Sequence, residues 1–199
     1  MRLARRYRNY VGDQDRLVET SNSIAMMVAA SQPFYPLYVW WIVGADAWPA
    51  LFTLLSTPLF LAVPALARAN GMAGRALLPL AGIANTTLAA ALLSPQAGAQ
   101  LFLGPCLLIA TMQFRRAERW AGFAIVALAT AAYLAVPDIA GTVSFAASEA
   151  ARLVTLHAVG AGTLTVLAGL WFSDAIGNPS VASAPTPPRP DSRRQPKRP

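Results

Sequence analysis

Apolar residues along this chain come in long runs, not at the spacing of a half-buried strand or of a one-faced surface helix. Six runs, at about 23–44, 47–67, 76–94, 98–114, 120–137 and 152–172, are almost free of charge. Each is close to the ~20 residues, range ~17–25, that an α-helix needs to cross the hydrocarbon of a bilayer. A chain in lipid must satisfy its backbone polar groups internally, so such runs are predicted to be helices. The pattern predicts an all-α, polytopic membrane protein: six transmembrane helices in a bundle over 23–175. The third and fourth runs are separated only by Ser94-Pro95.

The charges lie between the runs and predict an orientation. The N-terminal stretch, the 68–75 loop, the 115–119 loop and the C-terminal tail alternate onto one side and hold 15 of the 16 basic residues. The opposite loops carry Asp46, Asp138 and Glu149, with Arg152 at the border. The positive-inside rule then predicts both termini on the cytoplasmic side. Residues 1–22 are predicted to include a basic cytoplasmic helix with Leu3, Tyr7, Tyr10 and Val11 toward the membrane and its arginines at anionic headgroups. Asp13, Asp15 and Glu19 interrupt this stretch, and no apolar core follows at signal-peptide distance. Residues 176–199 are rich in proline and arginine and are expected to be a disordered cytoplasmic tail. Prolines 33, 36, 58, 64, 79 and 105 are expected to kink four of the spans.

The composition, 55% hydrophobic and 13% charged, fits a membrane protein and excludes a chain disordered throughout. One cysteine and one histidine cannot build a four-ligand zinc site or a bis-histidine haem site. The span cores hold no acidic residue, which argues against carboxylate-based proton or sodium coupling. No phosphate loop, nucleophile elbow or zinc-protease motif is present. No enzymatic activity, cofactor or metal is expected.

Candidate chemistry is confined to a few polar residues within the runs. Gln32 and Asn85 fall near mid-depth of the first and third runs, where they are expected to meet across helices. His157 lies in the outer third of the sixth run, and Phe34, Tyr35, Tyr38, Trp40 and Trp41 occupy the outer half of the first. His157, Gln32, Asn85, Tyr35, Tyr38 and Trp41 are the candidate ligand-binding residues, around an apolar site with few polar contacts. The competing expectation is an aromatic belt, with a histidine bonded to a backbone carbonyl. Small residues recur as Gly82, Thr86, Ala90 and as Ala161, Thr165, Gly169, a spacing that suits close packing inside the bundle or in a dimer.

A basic N-terminal helix, six tight spans, Leu80-Ala81-Gly82-Ile83-Ala84-Asn85-Thr86-Thr87, the short outer loop Ser94–Phe102, Pro105 and the basic turn Phe114–Trp120 form a layout. It resembles the six-helix membrane anchors of bacterial class III adenylate/guanylate cyclases and of some sensor histidine kinases. The resemblance covers about 1–175 and is strongest over 76–137. In those proteins a linker and a catalytic domain follow the sixth span, where this chain has its proline-rich tail. The resemblance therefore implies a sensor-like or dimerising membrane module of a bacterial inner membrane, without the catalytic activity. The leading expectation is a non-enzymatic signalling module that senses a lipophilic ligand. The alternatives are a small transporter or permease subunit, or a membrane scaffold. Expected partners are the lipid bilayer, a second copy of the chain and a separate cytoplasmic signalling protein; no nucleic acid is expected.

Overall fold

The computed structural model describes residues 2–138 and 141–177. The expected tail at 176–199 lies almost wholly outside them. The described chain is all-α and contains no strand. Its α-helices are α1 (Arg2–Val11), α2 (Arg16–Ser31), α3 (Phe34–Val43), α4 (Thr57–Ala69), α5 (Gly71–Leu93), α6 (Leu103–Met112), α7 (Arg119–Ala135) and α8 (Ala147–Gly177). Short 3-10 segments join several of them.

Four helical stretches are long and apolar enough to cross a membrane: Phe34–Ala69, Gly71–Leu93, Arg116–Asp138 and Ala147–Gly177. This differs from six separate rods, and the causes are local. The first apolar run is cut at Gln32-Pro33 into α2 and α3. The fourth is a 3-10 turn over Ala99–Phe102 followed by only 10 residues of α6. Its entry turn carries Ser94 at φ 90° and Gly98 at φ 82°, conformations that stop α5 and delay the next helix.

Phe34–Ala69 is not straight. Gly44 takes φ 63° and ψ −134°, and a 3-10 helix over Gly44–Ser56 leads back to α4. The reversal is visible in the pairing: Gln32 bonds Ser56, two residues equidistant in sequence from Gly44. Ile24, Ala25 and Ala29 of α2 share a core with Phe60 and Val63 of α4. Only Asn70 separates α4 from α5, and its side chain accepts from the Ala73 amide at 3.0 Å. A Cβ on Gly74 would fall 2.5 Å from the Ala67 Cα, so the two helices close against each other at a glycine.

The expected kinks resolve into several roles. Pro33 separates two helices and Pro58 starts α4; Pro36 and Pro105 fall in the first turns of α3 and α6. Pro64 and Pro79 lie within α4 and α5. The small-residue stripes face α6: a Cβ on Gly82 would meet the Cys106 Sγ at 2.7 Å, and one on Gly169 would lie 3.7 Å from Leu108.

The 23-residue α5 is a ruler for the bundle, ~34 Å long at 1.5 Å per residue. At its N-terminal end a buried Arg75 binds the 113–118 turn. At its C-terminal end Leu93 packs with Val39, Val43, Ala47, Ala50, Ala97 and Leu153. The basic N-terminal helix stops at Val11, and Arg16 to Asn22 belong to α2, which is capped by Asp15 accepting from the Leu17 amide at 3.0 Å. α1 is strapped to α4: Tyr10 Oη donates to the Leu61 carbonyl at 2.7 Å, and the Arg68 guanidinium lies 4.7 Å over the Tyr10 ring.

Candidate functional site

Between α2–α3, α5, α6 and α8 lies a cavity of about 490 Å³. Gln32, Tyr35, Tyr38, Asn85 and His157 line it, so five of the six candidate residues surround one space. The sixth, Trp41, does not. It is 82% exposed and turns outward with Trp40 and Trp48, as a side chain on the outer face of α3 must. The rim is made of exposed lining residues: Ser31, Phe34 and Tyr38 on one side, Val159 and Thr163 on the other. The cavity therefore opens through the side of the bundle, between α2–α3 and α8. Its walls are mainly apolar, with Ile24, Phe60, Leu78 and Ile109 from the central core at the deep end.

Two polar groupings interrupt the apolar wall. The first is at half height, since Asn85 is ~15 Å along α5 from Arg75 and ~12 Å from Leu93. Gln32 and Asn85 do not touch directly; Ser56 stands between them. The Ser56 Oγ accepts from the Gln32 Nε2 at 3.0 Å and lies 2.9 Å from the Asn85 Oδ1 and 2.8 Å from the Thr53 carbonyl. A hydroxyl carries one proton, so it serves one of those two oxygens at a time. Sequence reasoning missed Ser56, because a serine in an apolar run gives no sign of what the facing helix presents.

Ser56→Ala should therefore lower stability by about 1–2 kcal/mol, the usual cost of leaving a buried polar group unpaired. The Gln32→Leu loss should shrink in the Ser56→Ala background. Thermal unfolding in detergent micelles measures both. Additive losses would show that Ser56 does not couple the pair.

The second grouping is Tyr35 with His157. His157 is 1% exposed. Its Nδ1 lies 2.7 Å from the Ala97 carbonyl, and its Nε2 lies 2.9 Å from the Tyr35 hydroxyl. A carbonyl only accepts, so Nδ1 carries a proton. No acid stands near to pair an imidazolium in this apolar wall, so the ring is neutral and Nε2 accepts from Tyr35. Phe102 meets the imidazole edge-on, with ring centroids 6.0 Å apart. A Cβ on Gly160 would fall 2.8 Å from the Phe102 Cζ, so that glycine gives Phe102 its place at the wall.

At the Arg75 end a separate polar chain ties four segments together. Arg75, 3% exposed, donates through Nε to the Gly71 carbonyl at 3.2 Å, through Nη1 to the Gln113 carbonyl, and through Nη2 to the Glu118 Oε1 at 2.9 Å. The other Glu118 oxygen accepts from the Arg115 amide at 3.0 Å. The Arg115 guanidinium in turn pairs with Asp15 at 2.8 Å. Burial pushes the Glu118 carboxyl up, but the Arg75 hydrogen bond, the Arg115 amide and the two guanidinium charges outweigh it and hold it below its ordinary 4.5. The Ser21 hydroxyl, 2.9 Å from the Leu17 carbonyl, also lies 3.4 Å from the buried Gln113 Oε1, which brings α2 against the same turn. Sequence reading took Arg75 as a basic flank of a loop and gave no sign of its burial.

No group of three or more metal-ligating side chains occurs among the described residues. No family model matches the chain, and no curated protein or solved structure does.

Proposed function

We propose that this chain is a six-pass integral membrane protein with both termini cytoplasmic, which binds a lipophilic molecule entering from the bilayer and passes its occupancy to the basic end. The observation that carries the reading is the side-opening cavity with its two polar groupings. Its volume falls within the ~300–1,000 Å³ of ordinary small-molecule sites, with a mainly apolar wall and a few convergent polar groups. The lateral rim suits a ligand that partitions into lipid first. Six crossings are supported by the reversal at Gly44 and by the third-to-fourth turn at Ser94–Gly98. A cytoplasmic basic end is supported by the positive-inside rule, since Arg68, Arg75, Arg115, Arg116 and Arg119 fall at the helix ends that meet near Asp15.

The signalling part of the reading rests on shared elements. α2 and α5 line the cavity and also carry Asp15, Ser21 and Arg75 of the polar chain at the basic end. A ligand that changes the spacing of α2 and α5 changes the footing of the 113–118 turn, a surface open to a cytoplasmic partner. This is the sensor function expected from the layout of the spans.

A photoreactive hexadecanol, incorporated with the full-length protein in phosphatidylcholine vesicles, tests the binding. Labelling should saturate, be displaced by unlabelled hexadecanol, and map to peptides holding Phe34–Tyr38 and Val159–Thr163. Thr163→Trp, at the exposed rim, should block it. Unsaturable labelling spread over the outward residues Trp120 and Phe123 would overturn the reading.

A further inference from the structure

The cavity wall contains no Asp, Glu, Lys or Arg. Its polar atoms are all uncharged, and several have capacity left after the chain has bonded itself. The Gln32 Oε1, the Asn85 Nδ2 and the Thr86 Oγ1 make no hydrogen bond to the described residues, and none is among the sealed, unpaired polar atoms of the core. All three residues line the cavity. The Tyr35 hydroxyl spends its proton on His157 and keeps its oxygen lone pairs. The wall thus offers acceptors at Gln32 and Tyr35 and donors at Asn85 and Thr86. The nearest ion pair on the same helix, at Arg75, is ten residues from Asn85, ~15 Å away along the axis.

We propose that the cavity selects a single-chain amphiphile whose head is uncharged and both donates and accepts hydrogen bonds, an alcohol or a primary amide, over charged heads on the same chain. The proposal rests on the binding reading above and names the chemistry of its ligand. A carboxylate, sulfonate or quaternary ammonium would enter an apolar wall with no counter-charge, and an unpaired charge there is strongly disfavoured. An alcohol or amide can fill the open positions at Gln32, Asn85 and Thr86 while its alkyl chain lies against Ile24, Leu78 and Leu164 and reaches toward the rim. Size agrees. Benzene occupies a cavity of about 150 Å³, so by proportion this one holds about 20 non-hydrogen atoms, a head with a chain of about sixteen carbons.

The test is competition against the photoreactive hexadecanol in phosphatidylcholine vesicles, with four competitors titrated and compared by their concentration in the bilayer: hexadecanol, palmitamide, hexadecanesulfonate and hexadecyltrimethylammonium. The first two should displace the probe at concentrations at least tenfold lower than the last two. In Asn85→Leu this preference should fall severalfold. Thr86→Val removes a hydroxyl that makes no hydrogen bond to the described residues and keeps the side-chain shape, and it should reduce the preference too. If either charged competitor matches hexadecanol, the head-group proposal is overturned while the binding reading stands. If no competitor displaces the probe, both are overturned together. A preference unchanged in both variants would overturn the assignment of these polar groups as its source.

Discussion

Replacing Arg75 by methionine should cost the protein about 3 kcal/mol, toward the lower end of what breaking a buried ion pair costs because Glu118 is 20% exposed and can rehydrate. The methionine keeps the aliphatic stem, so the loss isolates the guanidinium. That group supplies three donors at one point: to Gly71 on its own helix, to the end of α6 at Gln113, and to Glu118 in the following turn. Without it the 113–118 turn is tied to the rest of the bundle by the link from Arg115 to Asp15 and the Ser21–Gln113 contact, and Glu118 keeps the Arg115 amide. Adding Glu118→Gln to Arg75→Met should cost much less than it costs the parent, since the two share one interaction. The acid limb gives an independent readout. Glu118 is held below its ordinary 4.5, so it contributes stability in full above that value and loses it as pH falls through its lowered value. The parent should therefore lose more stability than Arg75→Met between pH 5 and the acid end of a thermal-unfolding series. Parallel acid limbs would show that the pair does not form.

The part of this arrangement that could be read from the sequence is the part set by solvent preference. A run of apolar residues bounded by charge dictates helix in lipid whatever packs against it, and so the all-α architecture and the spacing of basic turns were legible. Depth was legible for the same reason. Gln32 and Asn85 fall at matching heights because helix rise is constant, and Tyr35, Tyr38 and His157 share a level nearer the Leu93 end of the bundle. Azimuth was not. Whether a side chain faces the bundle or the lipid depends on helix phase, and the break at Gln32-Pro33 resets that phase. Tyr35 and Tyr38 then line the cavity while Trp41, three residues on from Tyr38, turns out. Partners distant along the chain were not legible either. Arg75 reads as a loop residue until Glu118, 43 positions away, takes its guanidinium. Ser56 reads as filler until Gln32 and Asn85 converge on it. The 3-10 course of Gly44–Ser56 shows in the sequence only as a glycine and Pro49, which permit many conformations.

His157→Ala should destabilise the protein by about 3–5 kcal/mol, comparable to emptying a large buried site, and His157→Asn by clearly less. The imidazole holds two groups that have no second partner among the described residues. Its Nδ1–H satisfies the Ala97 carbonyl, and its Nε2 receives the Tyr35 proton. Ala97 sits between Ser94, whose φ of 90° is strained for a residue with a side chain, and Gly98, which adopts φ 82° freely, so the strained end of this turn needs an anchor. Alanine at 157 leaves the carbonyl and the hydroxyl unpaired, at about 1–3 kcal/mol each, and opens a hole beside Phe102. Asparagine can place its amide near the position of Nδ1 and keep the tie to Ala97, so that only the Tyr35 bond and part of the packing are lost. Tyr35→Phe removes the same bond from the other side. It should cost about 1 kcal/mol in the parent and less in the asparagine variant. Thermal unfolding in detergent micelles ranks the series. The order expected is parent, Tyr35→Phe, His157→Asn, His157→Ala. If alanine is no worse than asparagine, the tie to Ala97 is not what the histidine provides. The ring would then be held by its apolar contacts with Tyr35 and Phe102 alone.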